Sequence, residues 1–440
     1  MLKFLPSLPI QIFALAAIIC LYTVPVSADK IKAIKDNNLL TDITEIKVPA
    51  LPGAREPAMA VTGDGNLFLS WLEPISRNAY ALRISKLTVA GWSEPGTIAN
   101  GSNWFVNWAD LPSLSAAGDT RLAASWLVTN GPGDYAYDLV VSLSDDDGKT
   151  WSKPIVPHKD GTPTQHGLTS MLAWQDDQLF ITWLDGRVNA QGSRAVKRLE
   201  DTEQPQPWTA KPSKPLPTDD MTLRWTSIDS EGQVVSDSLL DDRVCTCCGT
   251  AAVMTDKGPL IAYRDRSEDE IRDIAVQYQR DGHWSGPVTL HSDGWQISGC
   301  PINGPALDAI GMRVVATWFT AANDQPRVLM AFSDDGGENF GDPVVVDDGR
   351  PLGRVDAVLL DDGAALISWL EVTGFGEELR VRHFLPDGKR GAMRTLTSSN
   401  RGRTMGFPRM MRHDGTIVFG WNQTTGSPSV RTAVLKLPVD

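Results

Sequence analysis

Three of the chain's five cysteines fall within the segment DDRVCTCCGTAAV, as Cys245, Cys247 and Cys248, and Cys300 follows later in the chain. Thiols at this spacing suit three kinds of chemistry. They form disulfides in an oxidising compartment, their thiolates bind soft metal ions such as Cu(I) or Zn(II), and a close pair can act as a redox dithiol. The compartment and the fold decide among these three.

The N-terminal residues 1–28 predict export. A basic start precedes an almost entirely apolar stretch, and small residues up to Ala28 provide a cleavage site before Asp29. This is the pattern of a secretory signal peptide rather than a membrane span, so we expect a periplasmic or secreted protein with no span after cleavage. Cys20 leaves with the signal, and an even number of cysteines remains in an oxidising setting.

The remaining cysteines leave three interpretations open. In the first, one or two disulfides form, and Cys300 bonds to a member of the triplet. In the second, all four cysteines form a Cu or Zn site, to which His166 or Met405 adds a further ligand. In the third, neighbouring thiols form a reducible pair.

Length and charge exclude some classes of partner. The chain has 440 residues and a formal net charge of −13. This charge argues against nucleic acid and anionic membrane surfaces as partners. The length exceeds one ordinary layered core, which favours a large repeat fold or several domains.

An alternating apolar segment ending in an aromatic residue recurs seven times, first as LFLSWLEP, RLAASWLV and LFITWLDG. The aromatic positions are Trp71, Trp126, Trp183, Tyr263, Trp318, Trp369 and Trp421. Apart from one longer gap they recur about every fifty residues, the length of a four-stranded propeller blade. With turns such as TGDG and RHDG between the segments, the pattern predicts an all-β protein, a single seven-bladed β-propeller over residues 29–440.

Both ends of the chain are expected to contribute to the seventh blade. The last copy has three recognisable strands, and Ile43–Leu51 is an unassigned strand near the N-terminus. Their pairing closes the ring and removes exposed strand edges. The alternative is a six-bladed ring with one copy as an irregular insertion. Residues 189–220, a proline-rich stretch in the third blade, predict a surface loop that is either a lid or a solvated insertion.

Two third-strand segments, Ser144–Trp151 and Ser333–Phe340, resemble the Asp-box turn Ser-x-Asp-x-Gly-x-Thr-Trp of the sialidase (neuraminidase) superfamily. In that family the boxes are structural, with an aromatic residue packed beneath a tight turn. Arg55, at the opening of the first repeat, is similar to the first of three sialidase arginines that grip a substrate carboxylate. The resemblance implies that Arg264 and Arg327 are the second and third, since guanidinium groups bind carboxylates with directional hydrogen bonds.

The chain departs from sialidases where their catalytic residues are expected. A sialidase uses a Tyr nucleophile, a Glu that activates it and an Asp as acid/base. At the opening of the sixth repeat this chain has Arg354 and Asp356 instead of the Tyr, and CTCCGTA stands at the opening of the fourth, in place of the Glu. Ordinary sialidase catalysis is therefore not expected.

The repeat register places the candidate residues around one mouth of the propeller. Cys245 and Cys300 occupy equivalent positions in adjacent blades, each eighteen residues before its blade's aromatic residue. Residues at comparable positions or in the loops after the second strands are the candidate acid/base residues Asp110, Asp185 and Asp356, the candidate ligand-binding arginines Arg55, Arg264, Arg327 and Arg354, and the candidate metal ligands His166 and Met405.

Two functions remain open. The first is a sialidase-like propeller that binds a small anionic ligand, a glycan or a periplasmic protein at this face, with a cysteine cluster at the mouth. The second is an exo-glycosidase acting on anionic sugars, with Asp356 or another residue replacing the tyrosine.

Overall fold

The computed structural model describes residues 39–190, 220–374, 376–400, 405–423 and 429–437. The predicted signal peptide 1–28 and residues 191–219 of the predicted loop lie outside these ranges. The described chain is all-β: its helical turns are three short 3-10 segments at Gln175–Asp177, Arg187–Asn189 and Ala322–Asp324. Within these ranges, none of the helical segments is long and apolar enough to cross a membrane.

The strands form seven antiparallel sheets, the blades, in chain order. Blade one contains β2 (Arg55–Val61), β3 (Leu67–Ser76), β4 (Ala79–Thr88), β5 (Gly91–Trp92) and β6 (Gly96–Gly101). Blade two contains β7 (Ser113–Ala116), β8 (Leu122–Thr129) and β9 (Tyr137–Ser144). Blade three contains β10 (His166–Ala173), β11 (Leu179–Asp185), β12 (Met221–Ile228) and β13 (Ser238–Val244).

Blade four contains β14 (Ala251–Thr255), β15 (Gly258–Arg264), β16 (Ile274–Arg280), β17 (His283–Trp284) and β18 (Val288–His291). Blade five contains β19 (Ala306–Ile310), β20 (Arg313–Thr320), β21 (Arg327–Ser333) and β22 (Val344–Val345). Blade six contains β23 (Pro351–Leu359), β24 (Ala365–Thr373), β25 (Gly376–Phe384) and β26 (Arg390–Ser399). Blade seven contains β27 (Arg409–His413), β28 (Thr416–Gln423), β29 (Ser429–Lys436) and β1 (Ile43–Ile46).

The prediction of a seven-bladed propeller is confirmed, because each of the seven repeats forms its own sheet. Blade seven takes strands from both ends of the chain, since β1 pairs antiparallel with β29 and Ile43 lies opposite Leu435. Blade two is irregular: three strands form its sheet, and a single bridge between Val141 and Ile155 stands where the other blades have a fourth strand.

The seven aromatic residues lie on the second strand of each blade and are buried in the cores between blades. Burial of an indole N–H requires an acceptor. In three blades an acid two residues further along the strand provides it: Trp71 donates to Glu73, Trp183 to Asp185 at 2.8 Å and Trp369 to Glu371 at 2.7 Å. The recurring Trp-x-Asp/Glu pattern is therefore explained by the fold.

The two Asp-box-like turns have the same hydrogen-bond geometry. In the first, Ser144 Oγ accepts the Gly148 N–H at 2.9 Å and Asp146 accepts the Thr150 N–H at 2.8 Å. In the second, Ser333 Oγ accepts the Gly337 N–H at 3.0 Å, and the carboxylate two residues later accepts from Asn339. Both turns follow the third strand of a blade, β9 in blade two and β21 in blade five. They therefore stabilise the blades at the end opposite to the one where the first strand of each blade begins.

Candidate functional site

Bulges at the start of the inner strands shape the mouth of the propeller. Glu56, Leu168 and Arg354 each lie fifteen residues before the aromatic residue of their blade, and each has a left-handed backbone, with φ of 60°, 55° and 53°. The strand register shifts at each of these points. A bulge adds a residue to one strand and redirects its side chain, and such backbone conformations concentrate at functional sites.

The cysteine cluster lies at the opening of blade four. Cys247 forms a disulfide with Cys300, with their Cα atoms 6.0 Å apart, so the expected bond between Cys300 and the triplet is confirmed. Cys245 and Cys248 are free thiols, both buried, with their sulfurs 2.7 Å apart. The sulfurs of Cys245 and Cys247 are 4.0 Å apart, and Cys300 is exposed.

A buried cation lies beside the free thiols. Arg272 Nη1 is 3.5 Å from Cys245 Sγ, and the same guanidinium donates to Glu270 at 2.7 Å. Burial opposes ionisation of Cys245, but the adjacent Cys248 thiol and the charge of Arg272 lower the pKa of Cys245 below that of an ordinary thiol. Burial, the hydrogen bond between the two thiols and the negative charge on Cys245 raise the pKa of Cys248. Cys245 is therefore the more acidic thiol of the pair.

The sulfurs of Cys245, Cys247 and Cys248 lie within 4.8 Å of one another, close enough to hold a metal ion, but Cys247 is bonded to Cys300. Two sulfurs bound to one tetrahedral zinc ion lie about 3.8 Å apart, because each Zn–S bond is about 2.3 Å. The sulfurs of Cys245 and Cys248 are closer than this, and the sulfur of Cys247 is bonded to Cys300. The arrangement fits a dithiol beside a disulfide better than a Cu or Zn centre of four thiolates.

Two candidate metal ligands lie in other parts of the ring. Met405 is buried in a hydrophobic cluster of blades six and seven, where its N–H donates to Glu377. His166 stacks on His158 with ring centroids 3.8 Å apart, and its Nε2 is 3.8 Å from Asp185. The structure groups His166 with aspartates and not with the cysteines.

Arg264 is the most completely buried of the candidate ligand-binding arginines. Its guanidinium donates to the carbonyl oxygens of Asn303 at 2.9 Å, Arg272 at 2.5 Å and Phe319 at 2.6 Å. It also stacks over Trp295, 4.8 Å from the ring centroid. Its donors therefore tie blade four to blade five.

The other three arginines differ in their environment. Arg55 is half-exposed, donates to the Tyr80 hydroxyl at 3.1 Å and lies 3.5 Å from a Glu56 oxygen. Arg354 is buried and donates to the Gly406 carbonyl at 3.0 Å. The side chain of Arg327 is 40% exposed and 3.9 Å from Asp347. Of the four, Arg55 and Arg327 have the exposure that a ligand requires.

The three candidate acids have separate environments. Asp110 accepts the Tyr137 hydroxyl at 2.7 Å. Asp185 accepts the Trp183 indole N–H and a bidentate pair of hydrogen bonds from Arg187. Burial opposes ionisation of Asp185, but the bonds and charge of Arg187 and the charge of His166 hold its pKa below the usual range. Asp356 is partly buried and accepts the Met410 N–H of blade seven, and desolvation of its carboxyl raises its pKa to about 6.

Glu56 is an acidic residue at the mouth that the sequence reasoning did not select. Its carboxyl is buried, and its Oε2 has no hydrogen-bond partner among the described residues. Burial raises the pKa of Glu56 to about 8 against the opposing charge of Arg55, and the nearby Asp110 raises it further. Glu56 directly follows Arg55, a candidate ligand-binding arginine, and this position was the sequence signal that could have identified Glu56 as a candidate site residue.

Comparisons with known proteins concern the fold. No protein-family model matches the chain, and no curated protein matches it. A protein of unknown function from Dyadobacter fermentans superposes with a TM-score of 0.50 at 14% identity, covering 91% of this chain and 99% of its own.

Two enzymes give weaker superpositions. The NanB sialidase of Streptococcus pneumoniae has a TM-score of 0.45 at 10% identity, covering 84% of this chain and 83% of its own. An α-L-arabinofuranosidase of Fusarium graminearum has a TM-score of 0.46 at 12% identity, covering 90% and 98%. These likenesses concern the β-propeller fold alone and assign neither substrate nor activity.

Proposed function

We propose that this protein is an exported, sialidase-like propeller whose mouth is a thiol–disulfide centre, which exchanges electrons with a disulfide-containing partner or small molecule. The observation that carries the proposal is the position of Cys245. Its sulfur is 2.7 Å from Cys248, 4.0 Å from Cys247 and 3.5 Å from Arg272. A thiolate with a neighbouring cation, a resolving thiol and an accessible disulfide has the components of exchange chemistry.

The exchange proceeds in two balanced steps. The Cys245 thiolate attacks the sulfur of Cys247, which forms a Cys245–Cys247 bond and releases Cys300 as a thiolate. Cys248 then loses its proton to solvent and attacks Cys245, which forms a Cys245–Cys248 bond and releases Cys247. Two electrons have moved from the buried pair to the pair that reaches the surface through Cys300, and a disulfide on the partner reoxidises that surface pair.

A redox titration tests the proposal. The purified protein is equilibrated in glutathione buffers of graded potential, quenched in acid, alkylated and mapped for disulfide-linked peptides. We expect Cys245 and Cys248 to convert reversibly between dithiol and disulfide while the propeller stays folded. If both remain thiols in the folded protein at every potential, the proposed function is wrong.

Replacement of Arg272, the cation beside Cys245, should make ionisation of the Cys245 thiol less favourable. In a Cys247→Ser/Cys300→Ser background, Arg272→Met is expected to raise the pKa of Cys245 by about one unit. Its alkylation by iodoacetamide should then fall by about tenfold at about pH 5, below both pKa values, and by less at neutral pH, where the thiol of the unmodified background is already largely ionised. Arg272→Lys keeps the charge and is the matched control. The measurement is the pH profile of the alkylation rate, and an unchanged midpoint in Arg272→Met would show that Arg272 does not stabilise the thiolate.

A second candidate function, hydrolysis of an anionic glycoside, is favoured by the surroundings of Glu56. A buried carboxyl with a pKa of about 8 is protonated at neutral pH and can serve as a general acid. Asp110 and the Tyr137 hydroxyl, 2.7 Å apart, form a carboxylate–phenol pair near it. Turnover of a fluorogenic sialoside that is lost in both Glu56→Gln and Arg55→Ala would favour this function, whereas absence of turnover agrees with the thiol centre.

A further inference from the structure

The segment Cys300–Ile302, which we call the cap, lies against the cysteines that open blade four. The side chain of Ile302 packs on this cysteine cluster. The free thiols of Cys245 and Cys248 are each 1% exposed, whereas Cys300, at the start of the cap, is exposed. A buried thiol is inert toward a partner until it becomes accessible. Whatever covers the two free thiols therefore controls their reactivity.

Ile302 has a backbone conformation that its own side chain disfavours. Its φ is 50°, in the left-handed region. A β-branched residue is a genuine outlier there, because its Cβ crowds the neighbouring carbonyl oxygen. Such strain persists only where the surrounding structure holds the residue in place. The contacts at the two ends of the cap therefore determine whether it stays closed.

Asn303 fixes the end of the cap that leads into blade five. Its side chain is buried, and its Oδ1 accepts the Arg354 N–H at 2.8 Å. Its own N–H bonds to the sulfur of Cys248. The next residue, Gly304, lies so close to Gly249 that a Cβ would be 2.1 Å from the Gly249 carbonyl oxygen. These contacts hold this end on the segment that carries the free thiols.

The other end of the cap is held by a covalent bond. From Ser298 to Ile302, none of the described backbone N–H groups donates to a backbone carbonyl. The preceding residue, Ile297, still makes such a bond, at 2.9 Å. Cys300 is bonded to Cys247, with their Cα atoms 6.0 Å apart. The disulfide is therefore the tether that keeps this end of the cap in place.

We propose that the Cys247–Cys300 disulfide holds the cap closed over the free thiols, and that cleavage of this bond lets the strained cap open. This regulation rests on the proposed function, in which Cys245 attacks Cys247. The Cys245–Cys247 bond forms, the Cys247–Cys300 bond breaks, and Cys300 leaves as a thiolate with the electron pair of the broken bond. Ile302 is then free to leave its left-handed conformation, so a partner reaches the centre only after electrons have moved.

Alkylation of Cys248 in the Cys245→Ser protein tests the cap without requiring exchange, because the attacking thiol is absent. The reagent is iodoacetamide at about pH 8.5, near the pKa of a free thiol. We expect slow modification while the disulfide is intact. Addition of Cys247→Ser and Cys300→Ser should accelerate it about tenfold or more, because a buried thiol reacts only after local opening. Reduction of the Cys245→Ser protein with a phosphine breaks the same bond and should give the same increase.

The variant Ile302→Gly separates the cover from the tether. Glycine adopts a φ of 50° without strain but has no side chain to pack on the thiols. In the Cys245→Ser background with the disulfide intact, Ile302→Gly should therefore speed the alkylation of Cys248 severalfold. Val288→Gly, at an exposed residue of β18, is the matched control and should react as its parent does.

Two results would overturn the cap. One is an equal rate of Cys248 alkylation with the disulfide intact and broken, and the other is an unchanged rate in Ile302→Gly. A failure of the proposed function has a different signature. In that case the alkylation rates differ as expected, while Cys245 and Cys248 of the wild type remain thiols throughout the glutathione titration.

Discussion

Replacement of Arg264 by methionine is expected to lower the free energy of unfolding by about 3 to 5 kcal/mol. The guanidinium is buried and satisfies the carbonyl oxygens of Asn303, Arg272 and Phe319. Methionine fills much of the volume but leaves those oxygens without donors, and each unsatisfied buried group costs about 1–3 kcal/mol. Chemical denaturation of the purified variant at constant pH measures the loss.

The matched control is Arg327→Met. Arg327 is a candidate carboxylate-binding arginine of the same type, but it is partly exposed and lies 3.9 Å from Asp347. A surface ion pair contributes about 0–1 kcal/mol, so this variant should be nearly as stable as the wild type. Equal losses in both variants would contradict a structural role specific to Arg264.

Stability should fall with rising pH because of Glu56, and Glu56→Gln should remove that dependence. Burial raises the pKa of Glu56 from 4.5 to about 8, so between these values the folded protein binds a proton that the unfolded chain does not. The stability that proton binding at Glu56 contributes is therefore fully present below pH 4.5 and is lost as the pH rises toward and through 8. The slope from this group is about 1.4 kcal/mol per pH unit, or about 5 kcal/mol over the whole range.

The measurement is the difference in unfolding free energy between wild type and Glu56→Gln across this pH range. Glutamine resembles the protonated carboxyl, so the two proteins should be similarly stable near pH 5, and the variant should be the more stable near pH 9. Glu45→Gln, at a side chain that is 64% exposed, controls for the loss of one carboxyl. A difference that stays constant with pH would show that Glu56 is ionised in the folded protein.

The repeat pattern predicted the fold because the signal for each blade is local. The alternating apolar run and its aromatic residue appear once in every blade, and the fold places each aromatic, from Trp71 to Trp421, at the same position of its second strand. The pairing of β1 with β29 also followed from counting strands in the last repeat. The count did not foresee the irregular blade two, whose fourth position is one bridge at Ile155.

The candidate site was less predictable because side-chain partners come from distant parts of the chain. Sequence register placed Arg264 among ligand-binding arginines, yet its partners include Asn303 and Phe319, carbonyls that no motif reveals. Sequence register placed Asp185 among the possible acid/base residues. In the structure it accepts the indole N–H of Trp183, a role that the Trp-x-Asp pattern indicates. His158 lies outside the repeat segments, so no register assigned it a position.

The reaction of the Cys248→Ser protein tests the central claim most directly. Without the resolving thiol, attack of Cys245 on Cys247 should stop after its first step. Peptide mapping after acid quench should then find a Cys245–Cys247 bond together with a free, readily alkylated Cys300, while Cys245→Ser/Cys248→Ser retains the Cys247–Cys300 bond. If the Cys248→Ser protein retains an intact Cys247–Cys300 disulfide and a free Cys245 at every pH from 5 to 9, the mouth of this propeller is not a thiol–disulfide centre.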